Sequence, residues 1–351
     1  MRSTLTIHKA AVEANLKAIK TRLNKGVKTM AVVKSNAYGH GLVEFATCIK
    51  DKTDWFCVVR VEEGVQLREN GIQNPILVFE IPTAERVPLY TQYNLTATVA
   101  DISGFDVLKD GTEYHLNFGT GMKRLGFDAS ETSSVLEKMS SHSNIKCTGI
   151  YTHYANSDSN FDISVATQLA RFNAIRAQFP SELMTHTANS GAILYHTDKA
   201  VQFDAVRPGI SLYGYAPGVV EIPDLQSVID WTSYIMQIQK VSLGEAVSYG
   251  SAWKASEEGW IATVPVGYSD GIPRVIGGDI AVMANGAIFK QVGRITMDYF
   301  MFFTKQPLAV GTEVYLFNRE ELIPDIWAEQ TGTITYEIIT GINARTPKRY
   351  I

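Results

Sequence analysis

The fold this sequence predicts is α/β in two parts, an N-terminal (β/α)8 TIM-type barrel and a C-terminal, mostly antiparallel β domain. Three observations lead there. Between Thr29 and Arg207, short β-branched or aromatic runs alternate with stretches of helical period, the pattern of βα units. Beyond Pro223 the period drops to two and hairpin signals begin. The 351 residues also exceed the roughly 250 that a single barrel uses. The expected division is residues 1–224 for the barrel and 225–351 for the β domain.

Taken in order, TLTIHKAAVEANLKAIKTRL reads as a strand and then a helix with Val12, Leu16, Ile19 and Leu23 on one face. That strand, within residues 1–10, has no slot in the barrel, which leaves it to pair with the second domain. Eight runs follow: TMAVVK, WFCVV, ILVF, ATVA, YHLNF, CTGIYTH, LMTHTA and FDAVR. Continuous apolar strands are buried on both faces and so parallel, and eight of them within about 180 residues suit a closed barrel. ATVA and FDAVR carry the thinnest signal, and without them the alternative is an open sheet of six or seven strands. The segments between are amphipathic, as in ATQLARFNAIRAQF, where Leu169, Phe172 and Ile175 recur on one helix face. In the second domain WTSYIMQIQKV alternates, TEVYLF supplies another strand, and AVMANGAIFKQV sets Asn285-Gly286, a type I′ turn pair, between two strands.

Composition narrows the function. The net charge of −4 and 19% charged residues give no electrostatic reason to expect nucleic acid, so a small-molecule partner is favoured. Cys48, Cys57 and Cys147 are odd in number and lie apart in apolar segments, which indicates reduced thiols and a cytoplasmic location. The N-terminus lacks the apolar run of a signal peptide, and no segment nears the roughly 20 apolar residues that span a bilayer, so no membrane role is expected.

In a barrel of this type the site forms at the C-terminal strand ends. Lys34 ends the first run, Asn117 the fifth, His153 the sixth, Asn189-Ser190 the seventh and Arg207-Pro208-Gly209 the eighth. One polar residue at a strand end is ordinarily where the chain meets water; five converging on one mouth point to a site. A lysine in a partly dry mouth loses preference for its ammonium form and becomes a nucleophilic amine suited to a Schiff base. The Ser190 hydroxyl and the backbone N–H groups of Ser190, Gly209 and Ile210 lie where barrels commonly hold a phosphate. A lysine Schiff base with a phosphate anchor suggests pyridoxal 5′-phosphate. No metal is expected, because His40, His153 and His186 lack ligand spacing and carboxylate companions.

The chain resembles the bacterial alanine racemases along essentially its full length. The carriers are AVVKSNAYGHG at Ala31 to Gly41, GTGMKRLGF at Gly119 to Phe127, YTHYANSD at Tyr151 to Asp158, HTANSGA at His186 to Ala192 and VRPGISLYG at Val206 to Gly214. Further on come AVSYGSAW, VGYSDGIPR, GRITMD and TITYE. The resemblance implies interconversion of L- and D-alanine through a cofactor-stabilised carbanion, supplying D-alanine for peptidoglycan, in a homodimer whose active sites are shared. On matching positions, Lys34 would be the Schiff-base lysine and one catalytic base, and Tyr249 of the partner subunit the other. Tyr38, Ser190, Gly209, Ile210 and Tyr336 would hold the phosphate, with Asn189 beside them. Arg207 would face the pyridine nitrogen, oriented by His153, and Arg124 would steady the phenolic oxygen. Tyr268 and Met297 would come from the partner, lining the entrance and taking the substrate carboxylate on a backbone N–H.

Two bases on opposite faces suit inversion of a stereocentre, but one positioned base contributes about 10²–10⁴ in rate, too little for an unactivated Cα–H without a cofactor to spread the charge. The sequence departs from the family where many members carry a carbamylated lysine and then an aspartate: here Asn117 and Gly119 stand in those places. An amide carries no charge, so Arg124 is expected to hydrogen-bond Asn117 directly or to share a bound inorganic anion with it. Thr296 replaces a cysteine often found before the methionine. The rival readings are a serine or broad-specificity racemase, a decarboxylase on the same barrel, which would want a carboxylate where Arg207 stands, and a non-catalytic cofactor carrier, which would need neither Tyr249 nor the β domain.

Overall fold

Backbone pairing follows the apolar runs. The computed structural model describes residues 1–159, 164–196, 200–218 and 222–351, and the chain divides into two units, Val12–Ala37 with Leu42–Gln226, and Met1–Ala11 with Tyr38–Gly41 and Ser227–Ile351. It opens with strand β1 (Thr4–Ile7) and helix α1 (Lys9–Thr21). The expected eight strands are β2 (Lys28–Val32), β3 (Trp55–Val58), β4 (Ile76–Val78), β5 (Ala97–Val99), β6 (Glu113–Asn117), β7 (Lys146–Tyr151), β8 (Met184–Asn189) and β9 (Ala205–Arg207). They form one parallel sheet in the order β4-β3-β2-β9-β8-β7-β6-β5. The ring is closed between its ends, where Val78 N–H donates to Thr96 O at 2.9 Å and Thr96 N–H to Ile76 O at 2.8 Å. ATVA and FDAVR, the thinnest runs, are β5 and β9, so the open-sheet alternative falls away.

Helices cover the ring: α2 (Leu42–Ile49), α3 (Val61–Glu69), α4 (Val87–Gln92), α5 (Ser103–Val107), α6 (Thr132–Ser141), α7 (Ser164–Arg176) and α8 (Ser190–Tyr195). α7 shows why these segments are helical. Val165, Gln168, Phe172 and Ile175 share one buried face, and burial of a side chain such as Phe172 is worth about 1.5–3 kcal/mol. In β3, Phe56, Cys57 and Val58 are all fully buried, as a strand covered on both faces requires.

The second unit is a nine-stranded sheet. Its strands are β10 (Ile229–Tyr234), β11 (Gln237–Val241), β14 (Gly259–Val264), β15 (Ala281–Ala284), β16 (Ala287–Val292), β17 (Phe300–Thr304), β18 (Glu313–Phe317) and β19 (Lys348–Tyr350), together with β1; a separate small hairpin joins β12 (Ala246–Val247) to β13 (Trp253–Lys254). The order is β11-β14-β17-β16-β15-β18-β10-β1-β19. β1 pairs antiparallel with β10 and parallel with β19. Asn285 and Gly286 both take positive φ, 48° and 74°, and join β15 to β16 in the expected hairpin.

Two features differ from expectation. WTSYIMQIQKV is not one strand: it breaks at Ile235-Met236, where Ile235 N–H turns to Thr312 O and Met236 N–H to Thr263 O. β10 and β11 thus sit far apart in the strand order although two residues separate them, which requires the sheet to curl on itself. The second difference is a pair of helices, α9 (Pro324–Thr331) and α10 (Thr335–Gly341), within what reads as a β domain. α9 starts on Pro324 and ends on Gly332 in the left-handed region, and Trp327 packs 4.3 Å from Phe317 between ring centroids.

Candidate active site

Lys34 stands two residues past the end of β2, half-buried, and burial and then the nearby charge of Arg124 hold its amine below the usual lysine pKa, against an opposing pull from Glu63. The chain then does something rare. Ser35, Asn36, Ala37 and Tyr38 all take φ between 50° and 55°, a left-handed turn built without glycine. Left-handed conformation costs roughly 1–2 kcal/mol per such residue, so it needs support from outside. Glu63 at the start of α3 supplies part of it: one carboxylate oxygen accepts from Ser35 N–H at 2.6 Å, the other from Val59 and Arg60 N–H. Asn36 Oδ1 accepts from Leu42 N–H at 2.9 Å and closes the turn onto α2.

Arg207, at the end of β9, is buried and forms no ion pair among the described residues. Its fork is instead filled by neutral acceptors. Nη1 reaches His186 Nδ1 at 2.5 Å and His186 O at 2.8 Å; Nη2 reaches Thr152 O at 2.7 Å and Thr187 O at 3.0 Å. The guanidinium also lies 5.1 Å from the Tyr151 ring centre. Four of its five hydrogens are thus spoken for, leaving Nε–H. His186, not His153, gives it orientation; no hydrogen bond joins His153 to Arg207 among the described residues. Burial, then the charges of Arg207, Arg124 and Lys34, pushes His153 down to about 3, so it stays neutral beside three cations.

The ends of β8 and β9 meet around Ser190. Its buried hydroxyl accepts from Gly209 N–H at 2.8 Å and shares a hydrogen bond with Ser211 Oγ at 3.0 Å. Asn189 caps α8, its side-chain oxygen accepting from Ala192 N–H at 3.0 Å and from Ser157 Oγ at 2.6 Å. The first N–H groups of a helix have no carbonyl four residues back, and here those of Ser190 and Gly191 face that condition, as does Ile210 at the start of its own short 3₁₀ turn. Gly191 is needed for the fit, since a Cβ there would stand 2.5 Å from Ser157 O.

In the second unit, Tyr38 packs its ring 5.9 Å from that of Tyr336 on α10. Tyr268, Met297 and Tyr249 are brought to one region. Tyr268 N–H donates to Thr296 O, Ser269 N–H and Oγ to Met297 O, and Thr296 lines a cavity of about 470 Å³ with Ser248, Tyr249, Gly250, Ser251 and Met301. All three are exposed, Tyr249 by 73%, Met297 by 54% and Tyr268 by 38%, too much for core residues.

The direct bond expected between Asn117 and Arg124 is not made. Asn117 is buried at the end of β6 and Arg124 is exposed, and among the described residues neither side chain has a hydrogen-bond partner. No cluster of metal-ligating residues occurs among the described residues.

With the geometry in place, comparison with known proteins decides the kinship. Residues 7–217 match the family model described as alanine racemase, N-terminal domain, and residues 228–350 the one described as alanine racemase, C-terminal domain. The chain belongs to the alanine racemase family. Among curated relatives, alanine racemases of Streptococcus pneumoniae (strain Hungary19A-6) and Streptococcus mutans are 34% and 32% identical over 98% and 99% of this chain, each covered to 96%. Among solved structures, alanine racemase of Clostridium difficile 630 aligns with a TM-score of 0.95 at 30% identity, covering all of this chain and 96% of that one. The alanine racemase of Bacillus anthracis with bound L-Ala-P gives 0.93 at 32%, covering all of this chain and 95% of that one. In this chain, sequence reasoning missed Glu63 and the contact of His186 with Arg207. Nothing in the sequence marks Glu63 or the His186 contact; the isolated Gly149 inside β7 marks only a close approach, which the structure shows to be that of the His115 ring.

Proposed function

We propose that this protein interconverts L- and D-alanine with pyridoxal 5′-phosphate, as a homodimer in the cytoplasm, and so supplies D-alanine for peptidoglycan. The observation that carries the reading is Arg207, a buried cation with one hydrogen left to give. A group with a single acceptor nitrogen fits that donor set, and a carboxylate, which a decarboxylase would want there, does not stand in its place. The rest of the barrel unit fits the same cofactor. Lys34 offers an amine of lowered basicity for an aldehyde carbon, and Ser190 and Ile210 offer a hydroxyl and a helix-start N–H for a phosphate, while Gly209 N–H, which donates to Ser190 Oγ, would have to turn from that hydroxyl to reach it. The resemblance adds the hydroxyls of Tyr38 and Tyr336 for the phosphate and Arg124 for the phenolic oxygen.

When bound, pyridoxal 5′-phosphate spreads the charge left on Cα after proton removal. Lys34 takes or returns the Cα proton on one face and Tyr249 of a second copy on the other, which is what inversion requires. Arg207 would hydrogen-bond the pyridine nitrogen through Nε–H without giving up its proton, so charge would be drawn off less strongly and side reactions such as transamination held back. His153, neutral beside these cations, adds no further charge. Met297 N–H would hold the substrate carboxylate and Tyr268 would line the entrance, both from the second copy; the exposure of Tyr249, Met297 and Tyr268 supports such a pairing. The three free cysteines suit a reducing compartment, and no helix among the described residues is long and apolar enough to cross a membrane.

Serine is the second substrate to consider, since a pocket rejects an added hydroxyl poorly. Loss of optical rotation followed with L-alanine and L-serine side by side, with cofactor absorbance as control, tests the proposal. Alanine should lose rotation faster. Protein that shows the cofactor band and leaves both rotations unchanged would sink the racemase reading.

A further inference from the structure

Inside the barrel, behind Arg207, two histidines continue its hydrogen bonds in one line. Arg207 Nη1 lies 2.5 Å from His186 Nδ1, and His186 Nε2 lies 2.9 Å from His115 Nδ1. A guanidinium only donates, so His186 Nδ1 must accept. A neutral imidazole that accepts at Nδ1 carries its hydrogen on Nε2, and His186 therefore donates to His115. By the same step His115 carries its hydrogen on Nε2, where it has no partner among the described residues. An imidazole gains a proton only at a nitrogen with a free lone pair. In both rings that lone pair is already in use.

The surroundings hold the line in place. Tyr151 stacks on His186 with ring centres 4.8 Å apart and planes at 13°, and Trp55 lies tilted 5.5 Å from His115. Both histidines are fully buried. Gly149 on β7 makes the room, because a Cβ at that position would stand 2.7 Å from the His115 ring. Isolated glycines in strands mark such close approaches. Were the line reversed, His186 would turn an N–H toward the guanidinium, donor against donor.

We propose that His186 and His115 form a one-way brace, a pair of positioning residues that fixes the Arg207 fork and keeps any transferable proton from standing behind it. The inference rests on the reading of Arg207 as the partner of a pyridine nitrogen. It says how that nitrogen is kept without a proton: the nearest histidine presents its basic side to the arginine and its hydrogen to the far side.

The test is nitrogen NMR of the protein as purified, with ¹⁵N-labelled histidine and the two residues assigned by His115→Asn and His186→Asn variants. Both should show the neutral form with hydrogen on Nε2; either ring found with hydrogen on Nδ1, or doubly protonated at neutral pH, overturns the brace. Two variants then ask whether the line matters. His115→Asn keeps an acceptor at the δ position, whereas His115→Leu removes it and strands the His186 N–H. After removal of bound cofactor, His115→Leu should bind pyridoxal 5′-phosphate about tenfold more weakly and show His186 in mixed forms, while His115→Asn stays within about threefold of the unaltered protein. Equal affinity and an unchanged His186 spectrum in His115→Leu would also overturn it. Should the unaltered protein bind no pyridoxal 5′-phosphate, the proposed function fails, while the spectra still decide the brace.

Discussion

Arg207→Lys measures how much of the barrel hangs on one side chain. Four acceptors, His186 Nδ1 and the carbonyls of Thr152, His186 and Thr187, lie between 2.5 and 3.0 Å from two different nitrogens of the fork. Lysine keeps the charge but offers one nitrogen on a flexible stem, which cannot span positions set by a rigid fork. If it retains two of the four contacts, two charge-assisted hydrogen bonds are lost at about 1.5–3 kcal/mol each. The expected loss is then about 3–6 kcal/mol, a large share of the roughly 5–15 kcal/mol that stabilises a typical protein. At about 2–4 °C per kcal/mol for a unit of this size, thermal melting followed by circular dichroism should drop by about 6–24 °C. A drop below about 2 °C would mean that the carbonyls find other donors and that the fork does not hold these strands together.

Three other outcomes are expected. Gly149→Ala pushes a methyl to 2.7 Å from the His115 ring and should destabilise by about 1–3 kcal/mol; in a His115→Asn background the penalty should shrink, and a double-mutant cycle showing no coupling would contradict the contact. His115 and His153 are both pushed down to about 3, His115 by burial and then Arg207. Below about pH 6.5 the unfolded chain therefore takes up protons that the folded chain refuses, so stability falls as pH is lowered from 6.5 toward 3, by about 1.4 kcal/mol per unit for each such histidine. Urea midpoints at pH 7, 6 and 5 should show it, and His115→Asn should flatten the slope by one histidine's share. Tyr249→Phe should lose racemisation in step with its proposed role as a base; a pH–rate profile with the same ionisations as the unaltered protein would count against that role.

Much of the fold could be read from the chain because burial on both faces leaves a plain mark. WFCVV and ILVF are apolar without alternation, and β3 and β4 are parallel and covered. Even the thin runs ATVA and FDAVR, three paired residues each in the structure, follow that rule. α9 and α10 were harder to see, though Pro324 and Gly332 bracket α9 as first residue and cap. Short helices packed by aromatic contacts, Trp327 on Phe317 and Trp231, leave little period to detect. In the candidate site, residues at strand ends were legible because topology sends them to one mouth. Which side chain touches which was not: β8 and β9 shift register between His186 and Asn189, and that shift, invisible in the letters, sets His186 against Arg207.

The placement of β1 reaches beyond the folded state. It lies between β10 and β19, hydrogen-bonded to both, and the last of these contacts runs past the strands, with Lys9 N–H on Ile351 O and Ile351 N–H on Ile7 O. During synthesis, β1 leaves the ribosome with both edges bare and must wait through the whole barrel for its neighbours. An unpaired strand is an open invitation to the wrong partner, yet this one spans only Thr4–Ile7, which limits what it can recruit. A fragment cut at Ser227 would leave β10 and β19 flanking a gap that only β1 fits.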